Sequence, residues 1–136
     1  MPQRPAWEPD FNVGHPLIDS QHQALLALCN RLADHCAGPA GPAADQAFDH
    51  DFDQLKALAQ EHFQAESALL AERDYPALEQ HQFALDEFDD LLADIVTTQH
   101  FDRLELQRFL ALWWLGHVAG TAESLRQLLS DADHAA

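Results

Sequence analysis

Basic residues are scarce in this 136-residue chain: 7 lysines and arginines stand against 23 acidic residues, a formal charge of −16. A field of that sign repels phosphate backbones and anionic lipid headgroups, so nucleic acid and membrane surfaces are excluded as expected partners. It also favours a monomer. Glycine occurs only five times and tyrosine once, and β-branched residues are few beside abundant alanine and leucine. Sheet structure is disfavoured and helix favoured. No apolar run approaches the roughly 20 residues of a membrane span, and MPQRPAWEPDF has no continuous apolar h-region of a secretory signal, so the expected location is cytoplasmic. The only cysteines, Cys29 and Cys36, are seven positions apart. On one helix their Cα atoms stand about 10 Å apart, which excludes a disulfide between them.

Four periodic segments fill the remainder, at about 16–36, 44–72, 75–97 and 102–131, after an irregular arm over 1–15. The first opens at Pro16, a favoured first helical position, and carries Ile18, His22, Leu25, Cys29, Leu32 and Cys36 on one line. The second carries Phe48, Phe52, Leu55, Ala59, His62, Glu66 and Leu69; the third, opening near Asp74 and Pro76, carries Leu78, His81, Leu85, Phe88, Leu92 and Ile95. The fourth follows a TTQH turn and carries Leu106, Leu110, Trp113, His117 and Gly120, then Leu125 and Leu128. Spacings of three and four joined by short connections predict one all-α domain, an antiparallel up-down-up-down four-helix bundle. Trp7 and Phe11 of the arm are expected to pack on its outside.

Each predicted helix places one histidine on its core line: His22, His62, His81 and His117. The other five, His15, His35, His50, His100 and His134, fall in arms, turns or off the line. In this topology the start of the first helix, the end of the second, the start of the third and the end of the fourth share one end of the bundle, so the four converge. A single core histidine satisfied by a carbonyl or a water needs no further explanation. Four of them around the inward-facing Glu66 do, because an unpaired buried carboxylate costs several kcal/mol. A metal ion satisfies both demands, and imidazole with carboxylate suits iron, zinc, manganese or copper.

The stretches WEPDFNVG, LIDSQHQALL, EHFQAE, DYPALEQH and LWWLGHVAGT, in this order and spacing, resemble the bacterial hemerythrins over nearly the whole chain. The resemblance implies a non-heme di-iron site that binds O2 reversibly. It likens His22 to the first-helix ligand, His62 and Glu66 to the histidine and bridging glutamate of an HxxxE motif, His81 to the first histidine of HxxxH, and His117 to the fourth-helix ligand. The open position for O2 would lie on the iron held by His22 and His62. Two ligands of the family pattern are replaced, by Leu85 and Ala122, which should leave a small dry pocket there. Glu123 adjoins Ala122 but is turned by about 100°, so it reaches the site only if the helix rotates or bulges; Asp86, beside Leu85, needs the same distortion. The expected function is therefore an iron protein binding O2 or another small diatomic for storage, delivery or sensing, a binding protein rather than an enzyme. The alternatives are a single ion or another transition metal with peroxide or nitric oxide chemistry, and a redox-inactive metal domain.

Overall fold

The computed structural model describes residues 1–72, 78–97 and 102–134. Four α-helices form the bundle: α1 (Pro16–Ala37), α2 (Pro42–Glu72), α3 (Leu78–Val96) and α4 (Arg103–His134). Among the described residues there is no strand, and no helix is long and apolar enough to cross a membrane. The predicted opening of the third helix at Asp74 and Pro76, and His100 of the turn, lie outside the described residues.

Local chemistry sets the helix ends. Pro16 occupies the first turn of α1, and the His15 ring accepts from the Ile18 amide, satisfying one of the donors a helix start leaves unpaired. Asp19 in that turn accepts from the Val13 amide at 2.8 Å and the Gly14 amide at 3.2 Å, fastening the arm to α1. The second helix starts two residues earlier than its apolar pattern, at Pro42, because Gly41 takes φ +148° immediately before it and proline is preset for the first helical position.

The arm does more than cover the bundle. Phe11 is buried within the main apolar cluster with Trp7 edge-on at 5.5 Å, which corrects the expectation that both rings lie outside. Gln107, buried on α4, accepts from the Gln3 amide at 2.9 Å and donates to the Gln3 carbonyl at 2.5 Å and the Cys29 carbonyl at 3.1 Å. The Asn30 side chain donates to the Pro5 carbonyl at 2.7 Å.

The core lines of α1 and α2 hold as read, apart from Cys36, which is only partly buried. On α4 the line is rotated: Trp114, Val118 and Ala122 are buried, Trp113 is half-buried and Gly120 is exposed. Adjacent tryptophans make the pattern ambiguous, and packing selects Trp114, whose ring stacks on Phe63 at 5.3 Å. Burying a ring of 150–250 Å² is worth about 4–6 kcal/mol, enough to set the rotation of a helix. Two apolar clusters result. The larger runs from Leu25, Phe63 and Trp114 toward Leu32, Phe48 and Leu106, and the smaller holds Val13, Ile18, Leu69, Leu70, Ala122 and Leu125. On α1, α2 and α4 the inward histidines sit between them.

Candidate metal centre

His22 of α1, His62 and Glu66 of α2, His81 of α3 and His117 of α4 come together between the two clusters. The Glu66 carboxylate is the hub. Its Oε2 lies 2.9 Å from His22 Nε2 and 2.5 Å from His62 Nε2, its Oε1 lies 2.8 Å from His81 Nε2, and His117 Nε2 is 3.2 Å from both oxygens. All four imidazoles thus present the same nitrogen to one carboxylate. The nitrogens also crowd each other, His22 to His62 at 3.0 Å and His62 to His117 at 3.3 Å.

A neutral imidazole carries one proton, so these contacts cannot all be hydrogen bonds at once. Gln21 sharpens the point. Its Oε1 lies 2.9 Å from His62 Nδ1 and, as an acceptor, places the ring proton there, leaving Nε2 a bare lone pair aimed at the hub. Burial pushes the His62 pKa below its ordinary value, which keeps the ring neutral despite Glu66 beside it. Burial alone would raise the Glu66 pKa, but the neighbouring His117 and the hydrogen bonds from His117 and His22 hold the carboxyl well below its ordinary range. Neutral imidazole and ionised carboxylate are the forms that bind metal.

The donor set fits a metal ion. Ligand atoms of His22, His62, Glu66 and His117 all lie within 4.8 Å of one another. Nitrogens around one tetrahedral ion at 2.0–2.1 Å stand about 3.3 Å apart, close to the two nitrogen separations above. The surroundings exclude water on one side: Trp114 lies 5.8 Å from the His62 ring and Trp113 stacks on His117 at 5.1 Å, the wall role expected of Trp113. His22 and His62 are 0% exposed, whereas His81 and His117 are each 8% exposed.

The positions where the resemblance leaves ligands missing are occupied by packing. Ala122 is buried in the smaller apolar cluster. Leu85 lines a groove of about 620 Å³ between α2 and α3, with Ala59, Phe63 and Phe88, which none of the histidines reaches. Leu85 is itself buried in the larger apolar cluster. A cleft of about 270 Å³ meets Glu66, His81 and His117 instead, on the Gly116 and Gly120 side of α4. Glu123 and Asp86 are exposed, outside the cluster. Cys29 is buried in the larger cluster and its thiol is pushed up to about 12 by burial, so it offers no thiolate at neutral pH. Sequence reasoning missed Gln21, and the only available sign was its place beside His22.

Inward imidazoles and a carboxylate on four facing helices define a metal-binding helical bundle. The chain belongs to the hemerythrin family: the family model described as "Hemerythrin HHE cation binding domain" matches residues 13–129. It is also 27% identical over 117 residues to a bacteriohemerythrin of Stenotrophomonas maltophilia (strain R551-3), covering 84% of this chain and 74% of that protein. No solved structure matches at a comparable level of significance.

Proposed function

We propose that this chain is a non-heme iron protein that binds O2 or another small diatomic at an ion held by His22, His62, His81, His117 and Glu66. The observation that carries the reading is the convergence of four Nε2 atoms on one buried carboxylate. The name of the bacteriohemerythrin relative supports the oxygen-carrying class. Iron in such a set supplies an open coordination position and a redox change for a diatomic.

The protein's own residues do the rest. Gln21 orients His62 and fixes its tautomer. Glu66 neutralises charge and spaces the imidazoles. Trp114, Phe63 and Trp113 close the inner side against water, strengthening every electrostatic contact within. Exogenous ligands then approach from His81 and His117, the pair with residual exposure, rather than from His22 and His62.

One ion per chain is the nuclearity this donor set favours, since the short nitrogen separations mix histidines that a two-iron arrangement assigns to different ions, and Leu85 and Ala122 offer nothing to hold a second. Metal content of protein purified without added metal, by elemental mass spectrometry, is the test. One iron per chain with a visible absorption band that changes on exposure to O2 is the expected result. Zinc, or a colourless protein without metal, refutes iron-dependent diatomic binding, and two irons refute the single-ion site.

A further inference from the structure

The groove of about 620 Å³ between α2 and α3 lies apart from the histidine cluster and follows both helices. It is lined from Lys56 to Ser67 on α2 and from Gln82 to Leu92 on α3, so it extends for about 16 Å, or roughly three turns of helix. Ala59 and Phe63 on one side and Leu85, Phe88 and Leu92 on the other form its apolar depth. Gln60, Gln64 and Gln82 are exposed along its edges. Rows of side chains three and four apart on two neighbouring helices make a straight furrow, the shape into which a third helix lays its own ridge.

The edge contributed by α3 is acidic. Between Leu78 and Val96 that helix carries six carboxylates and no lysine or arginine. Asp86 and Asp89 line the groove, are exposed, and have no ion-pair partner among the described residues. Lys56, at one end, is already occupied: its Nζ lies 3.3 Å from Asp53 and 4.7 Å over the Phe52 ring. The Asp89 carboxyl is pushed above its ordinary value by burial and then by the charges of Asp86 and Asp90, a repulsion that a bound cation would relieve. Phe83 precedes Asp86 by one turn and is 68% exposed, so an apolar ring borders the carboxylates on their outer side.

Charge and length narrow the occupant. A second copy of this chain, a nucleic acid or an anionic membrane brings like charge toward a protein of net charge −16. A compact ligand leaves most of so long a furrow open. We propose that the α2–α3 groove is a docking site for a basic amphipathic helix of about three turns on a partner protein, its apolar ridge over Phe63, Leu85 and Leu92 and its lysine or arginine side chains, one turn apart, against Asp86 and Asp89. The surface requires no ion at Glu66, so it stands or falls separately from the iron reading.

The probe is a synthetic amphipathic peptide of leucine and lysine, about four turns long, titrated into the full chain at low ionic strength and followed by fluorescence anisotropy of a label on the peptide. A scrambled peptide of the same composition keeps the charge and loses the apolar ridge, and should bind at least about tenfold more weakly. Asp86→Asn combined with Asp89→Asn should weaken the amphipathic peptide by about threefold or more. Glu8→Gln combined with Glu123→Gln removes the same charge outside the groove and should change binding by less than about twofold. All four carboxylates are exposed, so neither double variant disturbs the core. In amide NMR of the metal-free chain, the peptide should shift resonances within 56–67 and 82–92. Absent peptide binding, equal binding of the scrambled peptide, equal losses in the two double variants, or shifts centred elsewhere each overturn the inference. Decylamine is titrated in parallel, and shifts of the groove residues by this amine without binding of the peptide assign the groove to a small organic cation and refute the helical partner.

Discussion

Replacing Glu66 by glutamine tests the hub directly, because the side chain keeps its shape and loses its charge. In the parent protein the carboxylate is in hydrogen-bonding contact with His22 at 2.9 Å, His81 at 2.8 Å and His117 at 3.2 Å, and it is 1% exposed. An amide offers one accepting oxygen, and its NH2 group must face at least one ring that was donating. One or two charge-assisted hydrogen bonds are therefore lost around a carboxylate that is almost fully buried. At about 1.5–3 kcal/mol each, the metal-free protein should lose about 1.5–6 kcal/mol of stability, read by urea denaturation at pH 7.

Metal affinity should fall further than stability. Removing an outer-sphere partner of a ligand costs about 10–100-fold, and Glu66 is proposed as a ligand itself, so a loss of at least 100-fold is expected in a competition titration with a chelator. The pH dependence supplies an internal check. The Glu66 carboxyl is held below its ordinary range in the folded state, so the stability it contributes is complete above its unfolded value near 4.5 and is lost as pH falls through the folded value. The gap between parent and Glu66→Gln should accordingly close in acid. If the variant matches the parent at pH 7 within about 0.5 kcal/mol, and binds metal within tenfold, Glu66 is not the hub and the site has been misassigned.

Three further outcomes follow from the same geometry. His62 has a folded pKa below its ordinary 6.5, so the unfolded chain takes up its proton first and the metal-free protein should lose stability as pH falls below about 6.5, before Glu66 contributes below about 4.5; thermal melts across pH 4–8 that stay flat contradict this. Gln21→Leu removes the acceptor on His62 Nδ1 and should lower metal affinity about 10–100-fold by competition titration, with metal-free stability falling by about 1–3 kcal/mol. Cys29, buried with its thiol pushed to about 12, should resist iodoacetamide at pH 8 until the protein unfolds, whereas partly buried Cys36 should be alkylated in the native state; mass spectrometry of the labelled peptides decides.

How much of this could be read in the sequence depends on how many side chains compete for each inward position. Along α2 the order Phe48, Phe52, Leu55, Ala59, His62, Glu66, Leu69 leaves no rival on the line, and all seven are buried. Helix α4 offers two adjacent tryptophans, and only the three-dimensional fit of Trp114 against Phe63 decides between them. That choice turns Gly120 outward onto the cleft beside His81 and His117, so the cleft was illegible for the same reason. Gln21 and Gln23 flank His22 alike in the sequence, yet the first is buried against His62 and the second is exposed, a distinction made by the direction from which α2 approaches. The histidines were legible because a polar ring on an apolar line is a local anomaly. Which of them stays exposed was not, because exposure is a property of neighbours: His62 is covered by Phe63 and Trp114 and His22 packs on the rings of His62 and His117, while His81 and His117 border the cleft lined by Ala84, Gly116 and Gly120. The chemistry of the proposed site is thus written in its histidines and glutamate, and its residual exposure in the small residues beside them.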